Sequence, residues 1–373
     1  MATGGPLATD PRLLAALAAA ADPDGFLPFD RYMDRALYAE GVGYYARPSS
    51  PFGPAGDFYT AAEVHPLFAA TIAGRIAEIR RRFPAERPFV LVEVGPGEGH
   101  LAAAIVNELG RSEGRAGPVS VVLIDRSPEL LRRAVGRVRA VAEPLGTPVH
   151  ARDSIGSLGV FEGVVLASEL LDALPVRRVR RTDDGWVELG VRLLDGAVVP
   201  AESQSRRPVI GPPLPQHAPD GTVFEFSPAA EGLVREVADH LVRGALLIDD
   251  YGMDEGELLA GHPGGTLEGI RAHRSGWDPV EAPGATDLSA FVNFTRIRAV
   301  AEAAGLKVTY DRRQAEALGD WGFPQRFESA IRSAGNPEAE VRIRLAAKNL
   351  LFGFERFRIL ELEPAPAPDA PNA

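Results

Sequence analysis

Phe89-Val90-Leu91-Val92-Glu93-Val94-Gly95-Pro96-Gly97-Glu98-Gly99 is the stretch that decides the fold. Its first six residues, apolar but for Glu93, form a run of the kind found in a strand buried on both faces of a parallel sheet. Three glycines follow at alternate positions, and the spacing beyond them predicts a helix from about Gly99 to Leu109. Glycines at such a corner permit a tight turn and close backbone approach, and the helix N-terminus offers unpaired N–H donors to a ligand.

Outward from this corner, strand and helix alternate. Val119–Ile124 is a second strand, and Pro128 to Ala142 a helix whose proline suits the first turn. Val149 lies in a third strand, 163–167 is a fourth, 245–248 a fifth, 306–310 a sixth and 356–362 a last. Repeated alternation implies a parallel sheet with right-handed crossovers. Phe29, Tyr32, Met33 and Leu37 fall at helical spacing, and further helices are expected over 63–83, 287–304 and 325–351. Asp184-Gly185 and Asp195-Gly196 mark hairpin turns within 176–199. The Gly/Pro-rich segment 252–285 is too long for an idle connection and has the character of a lid. The expected fold is therefore α/β and Rossmann-like, a mostly parallel twisted sheet with helices on both faces. Residues 1–85 are expected to form an N-terminal helical cap contributing to the cleft, and 86–363 the main domain, with insertions near 176–225 and 252–285. A flexible tail at 364–373 completes the expected organisation.

Composition narrows the function. With no cysteine among 373 residues, thiolate nucleophiles, disulfides and cysteine–zinc sites are excluded. The seven histidines never take the close spacings of zinc ligands, so no metal is expected. A net charge of −11 argues against nucleic acid as a partner, and Arg177, Arg178, Arg180 and Arg181 read as the solvated face of a hairpin. No run is long and apolar enough for a membrane-spanning helix, so no membrane partner is expected. Arg12 alone stands near the alanine-rich run Leu13–Ala21, which matches neither a secretory signal nor a transit peptide, and the expected compartment is cytoplasmic.

The glycine turn alone could serve NAD, FAD or S-adenosyl-L-methionine. Two details favour the last: Glu93 precedes the first glycine, and Pro96 breaks the dinucleotide G-x-G-x-x-G spacing. Asp125 ends the second strand, where a carboxylate can accept from both ribose hydroxyls; capping the next helix is the alternative. Asp153 follows the third strand, where an acid can meet an adenine amino group, or merely close a turn. Ser168, Glu169 and Asp172 follow the fourth strand and should face the cleft.

From about Phe29 to Leu362 the chain resembles the MidA-type class I methyltransferases. The landmarks are Gly43-Tyr44-Tyr45, Gly56-Asp57-Phe58 with Thr60 and Glu63, Glu93 to Gly99, and Asp172-Ala173-Leu174-Pro175. They continue with Asp250-Tyr251-Gly252 and with Asp287-Leu288 before Val292-Asn293-Phe294. The resemblance implies that Gly95, Gly97 and Asp125 hold S-adenosyl-L-methionine, and that Asp57, Thr60 and Glu63 close over the cleft. The family includes a mitochondrial complex I assembly factor that methylates a protein arginine. This chain departs from its relatives mainly on the acceptor side, with Ala61-Ala62 before Glu63 and Leu170-Leu171 after Glu169.

Methyl transfer from a sulfonium is an in-line displacement that depends mostly on alignment. For an arginine acceptor, carboxylates must orient the guanidinium, and Glu63, Glu169 and Asp172 are the candidates. A hydroxyl or carboxylate acceptor would instead draw on a base such as His273. Three readings stand: a protein arginine methyltransferase, a small-molecule O- or N-methyltransferase, and a silent assembly protein that retains the cofactor pocket. Oligomeric state is left open, a homodimer included.

Overall fold

The computed structural model describes residues 9–47, 61–111, 119–204 and 213–365, the side chains of Ala62 and Glu63 excepted. The chain divides into two compact units, one formed by 59–170, 233–251 and 298–373, the other by 1–58, 171–232 and 252–297.

The first unit holds the central sheet. Its strands are β1 (Phe89–Val94), β2 (Val119–Ile124), β3 (Val149–Arg152), β4 (Phe161–Ser168), β5 (Leu241–Met253), β6 (Leu306–Arg313) and β7 (Phe357–Pro364), in the order β3-β2-β1-β4-β5-β7-β6. Neighbours from β3 to β5 run parallel, whereas β7 is antiparallel to β5 and to β6. Leu91, Leu123, Val164 and Leu247 pack into one cluster with helices Pro66–Arg80, His100–Arg111 and Pro128–Ala142. Val92, Val122, Val165 and Leu246, at the alternate positions, are equally buried. That is why the strands read as unbroken apolar runs rather than as alternation. Helix Pro128–Ala142 opens at its proline as the sequence implies; Ser127 Oγ caps it, accepting from the Leu130 N–H at 3.3 Å, and Leu130, Ala134, Val138 and Ala142 make its inner stripe.

In the second unit, helices Pro11–Ala20 and Phe29–Tyr38 bury Leu13, Leu17, Phe29, Tyr32, Met33 and Leu37 in one core with Val176, Val191 and Leu288. A five-stranded sheet there joins Phe26–Pro28 to the hairpin strands Arg177–Thr182, Gly185–Leu194 and Ala197–Glu202 and to Val223–Phe226. Its arginines face acids: Arg177 Nε donates to Glu188 at 2.8 Å, Arg178 Nε to Glu225 at 2.8 Å, and Arg180 Nε to Glu202 at 3.0 Å. A cationic strip on the sequence is thus locally neutralised.

Three expected helices are revised. The helix expected over 287–304 begins only at Phe294, because Asp287–Ser289 pairs with 268–270 and Val292–Asn293 pairs with 252–253. The span 325–351 splits into Phe323–Arg332 and Pro337–Phe352, where Asn336 caps and Pro337 opens the second helix. Likewise 63–83 is broken at His65-Pro66 into Ala61–Val64 and Pro66–Arg80. The lid segment is ordered within the second unit: Glu225 accepts from the Thr266 N–H and Oγ1, each at 2.7 Å. No described helix is long and apolar enough to cross a membrane.

Candidate cofactor site

Strand register sets the site. Val94 pairs with Ile124, Ile124 with Arg152, Glu93 with Leu166 and Ser168 with Asp249. Asp153, Asp125, Gly95, Glu169 and Asp250 therefore follow one another along the carboxyl edge of the sheet. The glycine turn leaves β1 where strand order reverses between β1 and β4, the place where open α/β sheets bind ligands.

Gly95, Gly97 and Gly99 all have positive φ, +69°, +52° and +79°. Gly95 N–H donates to Ile124 O at 2.8 Å and Gly99 N–H to Pro96 O at 2.7 Å, closing the turn. At Gly99 a Cβ would stand 2.8 Å from Ala134 Cα, so only glycine lets helix Pro128–Ala142 approach. Glu98 fastens the turn to that helix through Arg133 at 3.1 Å and Arg137 at 3.6 Å.

The acids of this edge are held in unusual states. Burial pushes the Glu93 carboxyl up to about 7; the Ala102 N–H opposes the shift and the Asp125 charge adds to it. Its Oε2 is buried and has no hydrogen-bond partner, a polar atom left for a ligand donor. Burial likewise raises Asp125 to about 6 against the Ser127 N–H, which donates to its Oδ1 at 2.7 Å. Asp125 thus braces the start of the next helix, whose cap is Ser127. A positive-φ glycine cradle, an orphaned buried carboxylate oxygen and a strand-end acid suit a nucleoside with a cationic amino-acid arm.

The other expected residues fall as follows. Asp153 is exposed just beyond β3, its Oδ1 accepting from Ser154 Oγ at 3.3 Å. Ser168 Oγ approaches Asp249 Oδ2 at 3.5 Å. Glu169 Oε1 accepts from the Ala61 N–H at 2.6 Å. In the second unit, Asp172 Oδ2 accepts from Ser289 Oγ at 2.6 Å, and its carbonyl from the Ala290 N–H at 3.0 Å. His273 is exposed at the tip of the hairpin joining Glu268–Arg271 to Arg274–Trp277, with φ +60° beside Ala272 at +51°. Glu63 lies in the short helix Ala61–Val64; its side chain, and Asp57 and Thr60 entirely, lie outside the described residues.

Sequence reading missed Asp249. It is 5% exposed within β5, directly after the apolar run 245–248, and burial raises its carboxyl to about 8. The Gln314 amide faces it, with its nitrogen 3.1 and 3.3 Å from the two oxygens when turned toward the carboxylate. An acid ending an apolar strand is the same signal that marked Asp125, and it applies to Asp249 too; nothing in the sequence announces Gln314.

A family model described as "Putative S-adenosyl-L-methionine-dependent methyltransferase" matches residues 71–310. The chain is 29% identical over 306 residues to the protein arginine methyltransferase NDUFAF7 homolog, mitochondrial, of Drosophila melanogaster, spanning 75% of this chain and 68% of that one. It is 28% identical over 312 residues to the mitochondrial protein arginine methyltransferase NDUFAF7 of Danio rerio, covering 78% and 72%. A crystal structure of a superfamily member from Burkholderia thailandensis bound to S-adenosyl-homocysteine superposes with a TM-score of 0.83 at 31% identity, covering 96% of this chain and 95% of that one. The relatives' mitochondrial names overturn the cytoplasmic expectation. Fold, cofactor edge and relatives agree, and the chain belongs to the MidA-type family of S-adenosyl-L-methionine-dependent methyltransferases, with S-adenosyl-L-methionine as its cofactor.

Proposed function

We propose that the methyl acceptor is an arginine side chain of a protein. The observation that carries this reading is the surroundings of Tyr45. Burial of its half-buried ring raises its pKa well above the usual tyrosine value, with the charges of Asp287 and Asp172 adding to the rise. Tyr38 stacks on Tyr45 at 5.6 Å between ring centres, and Tyr44 meets it edge-on at 5.0 Å. Two carboxylates beside a tyrosine cluster suit a guanidinium, which presents donors in a fixed plane and stacks on aromatic faces. The relatives named as protein arginine methyltransferases support the same choice.

In this reading Gly95, Gly97 and Glu93 hold the cofactor's amino-acid arm, Asp125 the ribose, and Asp153 and Ser168 the edges of the nucleoside, with Asp57 and Thr60 assigned by resemblance. The bound cofactor supplies an electrophilic methyl on a sulfonium. Asp172, together with Asp287, orients the guanidinium and draws its protons so that one nitrogen presents a lone pair. Glu63 is a further candidate for that task, and His273 is an exposed contact for the acceptor chain.

The test is methyl transfer from labelled S-adenosyl-L-methionine to a library of arginine peptides, with matched lysine and serine peptides alongside, followed by acid hydrolysis. Label in methylarginine, reduced at least about a hundredfold by Asp172→Asn as expected for a lost charge-assisted contact, supports the reading. Label in hydroxyl or carboxyl groups alone would refute it.

A further inference from the structure

We propose that Glu169 is a positioning residue: it seats the Ala61–Val64 turn at the end of β4 and, through Leu170, keeps the glycine-rich turn in its binding shape. The groups that carry this lie in one unit. Glu169 has φ +51°, a left-handed conformation that a residue with a side chain keeps only where its surroundings impose it. Its own N–H donates to Asp249 O at 2.8 Å, and its Oε1 accepts from the Ala61 N–H at 2.6 Å. The next N–H, of Leu170, donates to Asp250 Oδ2 at 3.1 Å. The Leu170 side chain lies against the cofactor corner, where a Cβ on Gly95 would lie 2.6 Å from Leu170 Cδ1. One dipeptide thus grips both the glycine turn and the fully buried Ala61, which begins the segment leading into helix Pro66–Arg80.

The strain makes the assignment specific. Glycine would adopt this backbone freely, so a left-handed glutamate is justified by what its carboxylate reaches. What it reaches is a backbone amide.

The experiment titrates S-adenosyl-homocysteine calorimetrically into the full chain carrying Glu169→Ala, Glu169→Gln or Glu169→Gly, with amide hydrogen exchange followed across 61–67. Loss of the charged acceptor predicts about tenfold weaker binding for Glu169→Ala and faster exchange at Ala61. Glu169→Gln, whose amide oxygen still accepts, is expected to stay within about threefold of the parent. Glu169→Gly relieves the backbone yet should bind as weakly as Glu169→Ala. Rescue by Gly but not Gln would make the effect one of backbone strain and overturn the proposal. A Gln variant as weak as Ala would show that the charge itself meets the ligand, and would overturn it equally. Should Glu169→Ala fail to fold, the Gln and Gly pair decides alone. Because the readouts are cofactor affinity and local exchange, a failure of the arginine reading leaves this result independent.

Discussion

Gly99→Ala and Gly136→Ala place the same added methyl group at and within one helix, and the structure predicts opposite outcomes. At Gly99 the backbone is left-handed, at φ +79°, and a Cβ would lie 2.8 Å from Ala134 Cα and 2.9 Å from its carbonyl oxygen. Alanine there carries about 1–2 kcal/mol of conformational cost. Separating two backbones that cannot rotate aside adds about 1–3 kcal/mol. At Gly136, within helix Pro128–Ala142, a Cβ meets nothing within 4 Å, so alanine should stabilise by about 0.5–1 kcal/mol. For a unit of about two hundred residues, scanning calorimetry should show the transition falling by roughly 5–15 °C in the first variant and rising by about 1–4 °C in the second. Gly99→Ala should also weaken S-adenosyl-homocysteine at least about tenfold, because the displaced turn carries the ligand-facing N–H groups. Equal effects of the two substitutions, or an unstable Gly99→Ala that binds normally, would refute this account of the corner.

Protons give a second test. Asp249, Glu93 and Asp125 have folded pKa values of about 8, 7 and 6, each above its unfolded value, so the folded state holds the extra protons. Stability should therefore fall as pH rises from about 4.5 toward 8, and Asp249→Asn should remove the upper part of that fall in thermal melts. Cofactor affinity should run the other way, rising between about pH 6 and 7 as Asp125 and Glu93 ionise, which a calorimetric pH series would show. In the second unit, Glu225→Ala strands the Arg178 guanidinium and two donors of Thr266, and should cost about 2–4 kcal/mol. Limited proteolysis should then cut faster within 252–285, and unchanged cleavage would mean that the acid does not anchor the segment.

The corner at 89–99 was legible because three signals coincide there: an apolar run, glycines that the turn requires, and a helix start. Pro128 marked the start of the next helix, since proline suits the first turn, while the cap the sequence offered to Asp125 is made by Ser127. The stretch 287–293 was not legible, because its apolar spacing fits a helix while its partners, 268–270 and 252–253, are supplied by tertiary pairing. Asp249 escaped for a related reason: the apolar run 245–248 ends in two acids, both buried, and nothing in the sequence says which of them faces Gln314. The company of Tyr45, Asp172 and Asp287 was equally hidden, since nothing in their spacing brings three distant landmarks together.

Calorimetric titration with S-adenosyl-L-methionine, with NAD as control and Gly97→Arg and Asp125→Ala as variants, tests the central claim most directly. The account predicts micromolar binding of S-adenosyl-L-methionine, none of NAD, and a loss of at least about tenfold in each variant. Tighter binding of NAD, or S-adenosyl-L-methionine binding untouched by both substitutions, would contradict the assignment of the glycine corner and of Asp125.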